Sequence, residues 1–432
     1  MLHTNLGVND AGHLTLAGKD TVALADIYGT PLMLMDENRV RMRMQEYVKT
    51  MQEVFAPGSM PLFASKALSC KEMYRIALSE GMGTDIVSGG ELYTAHSVEF
   101  PMDKAYFHGN NKTDADIAYA LDCGVGTFIC DNREEIYSLS AQAKERGITQ
   151  RVILRVTPGI DPHTHKAINT GKVDSKFGVA IETGQALELI KEILKLPALK
   201  LVGIHCHVGS LCFDSKPFLK AARIMVAFMA MVRETTGKTL TVLNLGGGYG
   251  VRYVENDPTF SIPENLRMVA AEVKKCCVDN DFPEPQVLLE PGRSIVADAG
   301  VTLYTVGSIK TITGYKSYVS IDGGMSDNPR YALYKSAYTV LNASRAACKK
   351  DFIATVAGRL CESGDLIGED IPMAKPQRGD KLAVLVTGAY NYAMASNYNR
   401  VPRPPVVFIL PEGETRVAVR RETPEDIARL DV

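Results

Sequence analysis

A regular alternation of two kinds of segment is the feature that most restricts how this chain can fold. From Pro31 onward, short β-rich runs alternate with longer stretches whose apolar residues recur at three- and four-residue spacing. The runs are Leu62 to Ala64, Thr84 to Val87, Ala105 to Phe107, Thr127 to Cys130, Val152 to Val156, Leu201 to His205, Val242 to Leu245 and Val287 to Leu289. Arg133 to Lys144, Gly184 to Leu194 and Pro217 to Glu234 typify the helical stretches. This pattern predicts an α/β architecture in which eight parallel strands close as a (β/α)8 TIM-like barrel. After Ala299-Gly300 the texture changes to closely spaced strands: Val301 to Val306, Ser317 to Ile321, Phe352 to Ala357, Lys381 to Val386 and Val406 to Ile409. The expected organisation is an N-terminal extended segment over 1–30, open to pairing with the C-terminal domain, a barrel over 31–300, and a mostly antiparallel β-barrel or sandwich domain over 301–432.

Composition removes alternatives rather than choosing among enzymes. With 48 Lys+Arg against 50 Asp+Glu the net charge is -2, which provides neither a nucleic-acid footprint nor a polybasic membrane patch. Small-molecule chemistry remains. The nine cysteines include no C-x-x-C pair, which argues against a disulfide framework or zinc site and fits reduced thiols in a cytoplasm. The N-terminal stretch MLHTNLGVNDAGHLTLAGKD has no basic region followed by an apolar run, and no later segment is apolar for long enough to span a bilayer.

In such a barrel the chemistry sits on the loops that follow the strands. The first run, PLFASKALSC, ends on Lys66, whose burial would depress its pKa and free its amine for an aldehyde cofactor; the plain alternative is a snorkelling strand-end lysine. Asp85 and Ser88-Gly89-Gly90-Glu91 follow the second run, and His108-Gly109-Asn110-Asn111-Lys112 the third. His205-Cys206-His207-Val208-Gly209-Ser210 follows the sixth, Gly246-Gly247-Gly248-Tyr249-Gly250 the seventh, and Glu290-Pro291-Gly292-Arg293 the eighth. A triple glycine late in the barrel lets backbone N–H groups approach a phosphate, or makes a tight strand-to-helix turn. Glu290 suits the protonated ring nitrogen of a pyridine cofactor, or a structural salt bridge. His205 and His207 share a face only if the strand runs through both, and such a pair alone does not make a metal site. With these companions His207 suits stacking on the cofactor ring, against the alternative of a satisfied core histidine, and Ser210 offers a hydroxyl to phosphate.

FASK, TDIVSGGEL, HGNNK, HCHVGS, LNLGGGYG, EPGRS, DGGMSDNPRYALY, CESGD and GAYNYAMASNYN occur in this order. By these motifs the chain resembles the diaminopimelate decarboxylases, pyridoxal-phosphate enzymes of the alanine-racemase-like barrel fold, from about Pro31 almost to its end. The resemblance implies a barrel plus β domain, a head-to-tail homodimer and active sites shared across its interface. It implies that Lys66 bonds to the cofactor, His207 stacks on the ring and Glu290 holds the ring nitrogen. Ser210, Gly247, Gly248 and the Gly292 backbone would take the phosphate, with Asp85, Pro291 and Tyr390 completing the cofactor-binding set. Arg293, Arg330 and Tyr334 would hold substrate carboxylates by charge-assisted pairing, Tyr390 also reaching substrate; Arg293 has the phosphate as its alternative partner. Cys361 would supply a proton after carbon dioxide is lost and Glu362 would bind the substrate amine, both from the second protomer. Taken without neighbours Cys361 reads as a small buried hydrophobe, but its flanks Arg359, Glu362 and Asp365 suit an accessible loop.

Leu68, Leu211 and Tyr331 stand where the family often has asparagine, glutamine and proline. The implied reaction converts meso-2,6-diaminopimelate to L-lysine and carbon dioxide, with no metal. An ornithine-, arginine- or lysine-type decarboxylase has the same fold, but Arg330 with Arg293 favours an anionic substrate tail, and Glu362 stands where the ornithine and arginine group has aspartate. A racemase would leave CESGD without a task, and a non-catalytic cofactor carrier could dispense with the β domain.

Overall fold

The computed structural model describes residues 1–160 and 175–432. It divides into two compact units, one of Met44–Gly250 with Phe260–Gly292 and one of Met1–Arg43, Val251–Thr259 and Arg293–Val432.

The first unit contains the barrel. Its strands are β1 (Met60–Ala64), β2 (Gly83–Ile86), β3 (Ala105–Phe107), β4 (Thr127–Cys130), β5 (Gln150–Thr157), β6 (Leu199–His205), β7 (Val242–Asn244) and β8 (Gln286–Leu289). They pair in sequence order, all parallel, and β8 returns to β1 through Leu288↔Met60 and Leu289↔Pro61. Every predicted barrel run is therefore a strand, and each predicted helical stretch is found as Arg133–Glu145, Gln185–Ile193 or Lys216–Thr236.

Because strand side chains alternate, one residue per turn of the pleat faces the interior. Leu62, Tyr106, Ile129, Ile153, Val202, Val242 and Leu288 form one buried apolar cluster there. The missing member comes from β2, where Gly83 stands opposite Leu62; a Cβ at Gly83 would lie 2.6 Å from the Leu62 side chain. Seven large residues thus fill the interior, and the glycine leaves room for one of them. Caps aim the following helices: Ser88 accepts from the Glu91 N–H, Thr113 and Asp116 form a capping box, and Asn132 accepts from the Glu135 N–H.

The second unit is mostly sheet, with Gly300–Ile312 at its centre. The first half of this strand pairs antiparallel with Leu32–Asp36 on one side and Lys381–Leu385 on the other, and its far half pairs with Lys316–Ile321. Phe352–Ala357, Leu366–Met373, Val340–Asn342, Val406–Ile409 and Thr415–Val419 complete the sheet. The lead-in pairs with itself rather than with the C-terminal strands. Leu6–Val8, Leu14–Leu16 and Lys19–Asp20 form a separate antiparallel sheet, as short segments joined by tight turns can at low closure cost. The strand that joins the large sheet is Leu32–Asp36, in the stretch expected to open the barrel; its five residues are all buried, as a strand with neighbours on both sides requires.

Candidate active site

In the barrel unit, two residues beyond each member of the apolar cluster the strand faces the interior again. Those positions hold Ala64, Asp85, His108, Asp131, Arg155, Asn244 and Glu290. β6 contributes His205, three residues past Val202, because a register shift between Leu201 and Gly203 adds one residue. An apolar floor is thus roofed by a polar layer at the C-terminal ends of the strands.

A buried polar layer must satisfy itself. The Asn244 Nδ2 donates to Glu290 Oε1 at 2.7 Å, and His205 Nε2 lies 3.1 Å from Oε2. His108 Nε2 stands 2.9 Å from Oε1, its ring edge-on to His205 with centroids 5.0 Å apart. Burial would raise the Glu290 pKa, but His108 and His205 outweigh it and hold the carboxyl well below the usual range. Burial drives His205 down to about 4 against the pull of Glu290, so His205 is the neutral donor and Glu290 the anion. These three residues bring ligating atoms within 4.8 Å of one another, but Glu290 is already engaged by its neighbours. Asp85 differs. Among the described residues neither of its buried carboxylate oxygens has a hydrogen-bond partner, and burial pushes its pKa up against the attraction of Lys66.

Lys66 lies in the 3-10 turn Ser65–Ala67 at the end of β1. Its side chain is exposed, and its charge acts on Asp85 and His207 at the polar layer. The preceding Ser65 is buried and its Oγ donates to Glu91 Oε2 at 2.9 Å, where the Val87 N–H also donates at 2.8 Å. Burial and the nearby Asp85 push the Glu91 carboxyl up to about 7.

The glycine run has a packing cause at each position. A Cβ on Gly246 would lie 2.6 Å from the Cys206 carbonyl, on Gly247 2.1 Å from the Glu290 carbonyl, and on Gly248 2.1 Å from the Gly209 carbonyl. Gly246 and Gly248 also have positive φ, 67° and 115°. The run therefore lets the loops after β6, β7 and β8 pack closely on one another. The Gly247 N–H donates to His207 Nδ1 at 3.1 Å. Burial and Lys66 keep His207 far below its usual pKa, as a neutral acceptor. Ser210 is partly buried on the same loop. Pro291 ties β8 to β1, its carbonyl accepting from the Ala64 N–H at 3.0 Å, and Gly292 packs closely on Ala64.

The sheet unit holds the remaining predicted residues in two groups. Arg293 and Arg330 are both buried. The Arg293 guanidinium lies 4.7 Å from the Tyr390 ring centroid, and that of Arg330 lies 5.9 Å from Tyr390 and 5.6 Å from Tyr334. The Arg330 Nε is buried with no hydrogen-bond partner among the described residues. Cys361 and Glu362 are exposed on a loop, as the flanks of the cysteine suggested. The Cys361 N–H donates to Asn399 Oδ1 at 2.7 Å, and Asp365 accepts from the Leu360 and Met325 N–H groups at 2.8 and 2.6 Å.

Sequence reasoning passed over His108, Arg155 and Asn244 as site residues and gave His205 no role. The signal was available, since each lies one pleat beyond an interior apolar residue, but it needed the inward phase of every strand. The donor set of the barrel fits pyridoxal phosphate: an ionised carboxylate that could face a ring nitrogen, a neutral imidazole, a lysine at a strand end and a glycine run whose backbone could approach a phosphate.

Residues 39–297 match the family described as pyridoxal-dependent decarboxylase, pyridoxal binding domain. The diaminopimelate decarboxylase of Bacillus subtilis (strain 168) is 43% identical over 434 residues, spanning 100% of this chain and 98% of the relative. This chain belongs to the diaminopimelate decarboxylase family. The diaminopimelate decarboxylase of Halalkalibacterium halodurans is similar to the same extent, 41% identical over 430 residues, with 100% and 98% covered. The crystal structure of the family member from M. jannaschii in co-complex with L-lysine matches with a TM-score of 0.91 at 33% identity, covering 100% of this chain and 99% of that one. Family membership makes pyridoxal phosphate the cofactor and carboxy-lyase chemistry the reaction class.

Proposed function

We propose that this chain decarboxylates meso-2,6-diaminopimelate to L-lysine and carbon dioxide, the last step of lysine biosynthesis. The observation that carries the choice of substrate is the pair of buried arginines, Arg293 and Arg330, gathered around Tyr390, the buried Arg330 Nε having no hydrogen-bond partner among the described residues. Such a pair suits an anionic group and penalises the cationic tails of ornithine, arginine or lysine.

When bound, pyridoxal phosphate supplies an electron sink for the charge left on carbon as carbon dioxide departs. Lys66 would hold the cofactor through its aldehyde and release it to the substrate amine. Glu290, fixed by Asn244 and His205, would hold the proton of the ring nitrogen. Neutral His207 would support the ring without adding charge, with Asp85 and Pro291 beside it. Ser210, Gly247, Gly248 and Gly292 would hold the phosphate. Arg293, Arg330, Tyr334 and Tyr390 hold the carboxylate at the end of the substrate that does not react. Cys361 delivers the proton to the carbon that lost its carboxylate, and Glu362 takes the far amine. These two act from the second subunit of a homodimer with shared sites, a reading supported by their exposed loop. Among the described residues no helix is long and apolar enough to cross a membrane, and the cytoplasm is the location that suits a free amino-acid substrate.

The direct test is carbon dioxide release and lysine formation from meso-diaminopimelate with and without added pyridoxal phosphate. Equimolar, cofactor-dependent products are expected. A cofactor-loaded protein that releases neither would leave the carrier reading in its place.

A further inference from the structure

Tyr253 lies in the segment Val251–Thr259, the part of the connection after β7 that belongs to the sheet unit. Its backbone is pinned on both sides. Its N–H donates to the Asp257 carboxylate at 2.7 Å, and its carbonyl accepts from the Thr339 N–H at 3.2 Å and the Thr339 Oγ1 at 2.9 Å. The ring is buried and meets Tyr338 edge-on at 5.3 Å, while the Tyr338 hydroxyl accepts from Asn391 Nδ2 at 3.2 Å. This anchored ring touches both arginines. The Arg293 guanidinium lies 5.8 Å from its centroid and that of Arg330 5.9 Å, and Arg293 Nη1 donates to the phenol oxygen at 2.8 Å.

Two guanidiniums around one ring repel each other, and something must hold them without cancelling the charge they present. A carboxylate in the place of Tyr253 would neutralise Arg293 and compete with an incoming anion. A phenol accepts a hydrogen bond and offers a ring face, so it orients both cations while leaving their charge intact. We propose that Tyr253 is a specificity-determining positioning residue: it sets the arrangement in which Arg293 and Arg330 read the far carboxylate of the substrate. This rests on the proposed decarboxylation of diaminopimelate.

The test uses the holoenzyme and Tyr253→Phe, which removes the hydroxyl and keeps the ring. The KM for meso-diaminopimelate is expected to rise about tenfold with kcat within about twofold, the pattern of a lost uniform binding contact. Inhibition by L-lysine, which retains the far carboxylate, weakens by the same factor, while inhibition by 1,5-diaminopentane, which lacks it, does not change. Tyr253→Leu removes the ring as well and raises KM further; should that variant not fold, the phenylalanine variant decides alone. An unchanged KM in Tyr253→Phe, or parallel weakening of both inhibitors, would overturn the proposal. If the wild-type enzyme does not turn over diaminopimelate, the functional reading fails instead, and binding of L-lysine against 1,5-diaminopentane, followed through the bound cofactor's absorbance, still decides the part of Tyr253.

Discussion

Single residues in this barrel differ in charge state because their partners differ, even where their burial is alike. Glu290 is held ionised by two histidines and an asparagine, whereas Asp85, also buried, has no hydrogen-bond partner among the described residues and is pushed toward its neutral form. Lys66 is exposed, so its assignment rests on its place at the end of β1 rather than on burial. Lys66→Ala is expected to abolish the visible absorbance of covalently bound cofactor while leaving the far-ultraviolet circular dichroism intact; an undiminished band would remove Lys66 from its role. Glu91 gives a prediction of opposite character. Its folded pKa of about 7 lies above the ordinary carboxylate value. The folded state therefore binds the proton more tightly, and stability from this group is complete below about pH 4.3 and is lost as pH rises through about 7. Urea unfolding at pH 5 and pH 8 should show wild type losing stability relative to Glu91→Gln as pH rises; parallel pH dependences would contradict this.

Elements rather than residues explain the HGNNK motif. Lys112 Nζ donates to Glu135 Oε1 at 2.8 Å, to the Ile129 carbonyl at 2.8 Å and to the Gly109 carbonyl at 3.0 Å, tying the loop after β3 to β4 and to the helix Arg133–Glu145. Lys112→Met leaves Glu135 buried without its ion-pair partner, the Asp131 N–H still donating to it at 3.2 Å, and is expected to cost about 3–5 kcal/mol in unfolding free energy; a change below about 1 kcal/mol would show the strut to be dispensable. The barrel strands were legible because period-two and period-3.6 patterns survive any tertiary context. The polar layer was only half legible. Asp85 and Glu290 stand next to glycine-rich loops and drew notice, whereas Arg155 and Asn244 sit inside or at the end of strands and need the inward phase to be known. In β6 even that phase shifts, because of the irregularity between Leu201 and Gly203. Tyr253 was invisible for a different reason: it lies in an irregular connection, and its partners Arg293, Arg330 and Thr339 come from distant parts of the chain. Long-range pairing also hid Leu32–Asp36, whose partners are residues 300–303 and 406–409.

At the scale of the whole molecule the two units carry complementary parts of one proposed chemistry, the barrel its cofactor residues and the sheet unit its substrate and proton-donor residues. If two chains share their sites, Lys66→Ala and Cys361→Ala subunits, each inactive alone, should recover about a quarter of wild-type activity when mixed in equal amounts and allowed to reassort, since half the dimers are mixed and each of those has one intact site of two. Heterodimers demonstrated by mass but without activity would place each site within a single chain. In the proposed chemistry two buried arginines select a substrate with a carboxylate at its far end. The most direct measurement of that selection is kcat/KM for meso-diaminopimelate against ornithine, arginine and lysine, on the same pyridoxal-phosphate-loaded enzyme. The expected preference for diaminopimelate is at least about 10³-fold, because a cationic tail brings like charge to the two buried guanidiniums and an uncharged one offers them no counter-charge. Comparable or better turnover of a basic amino acid would contradict it.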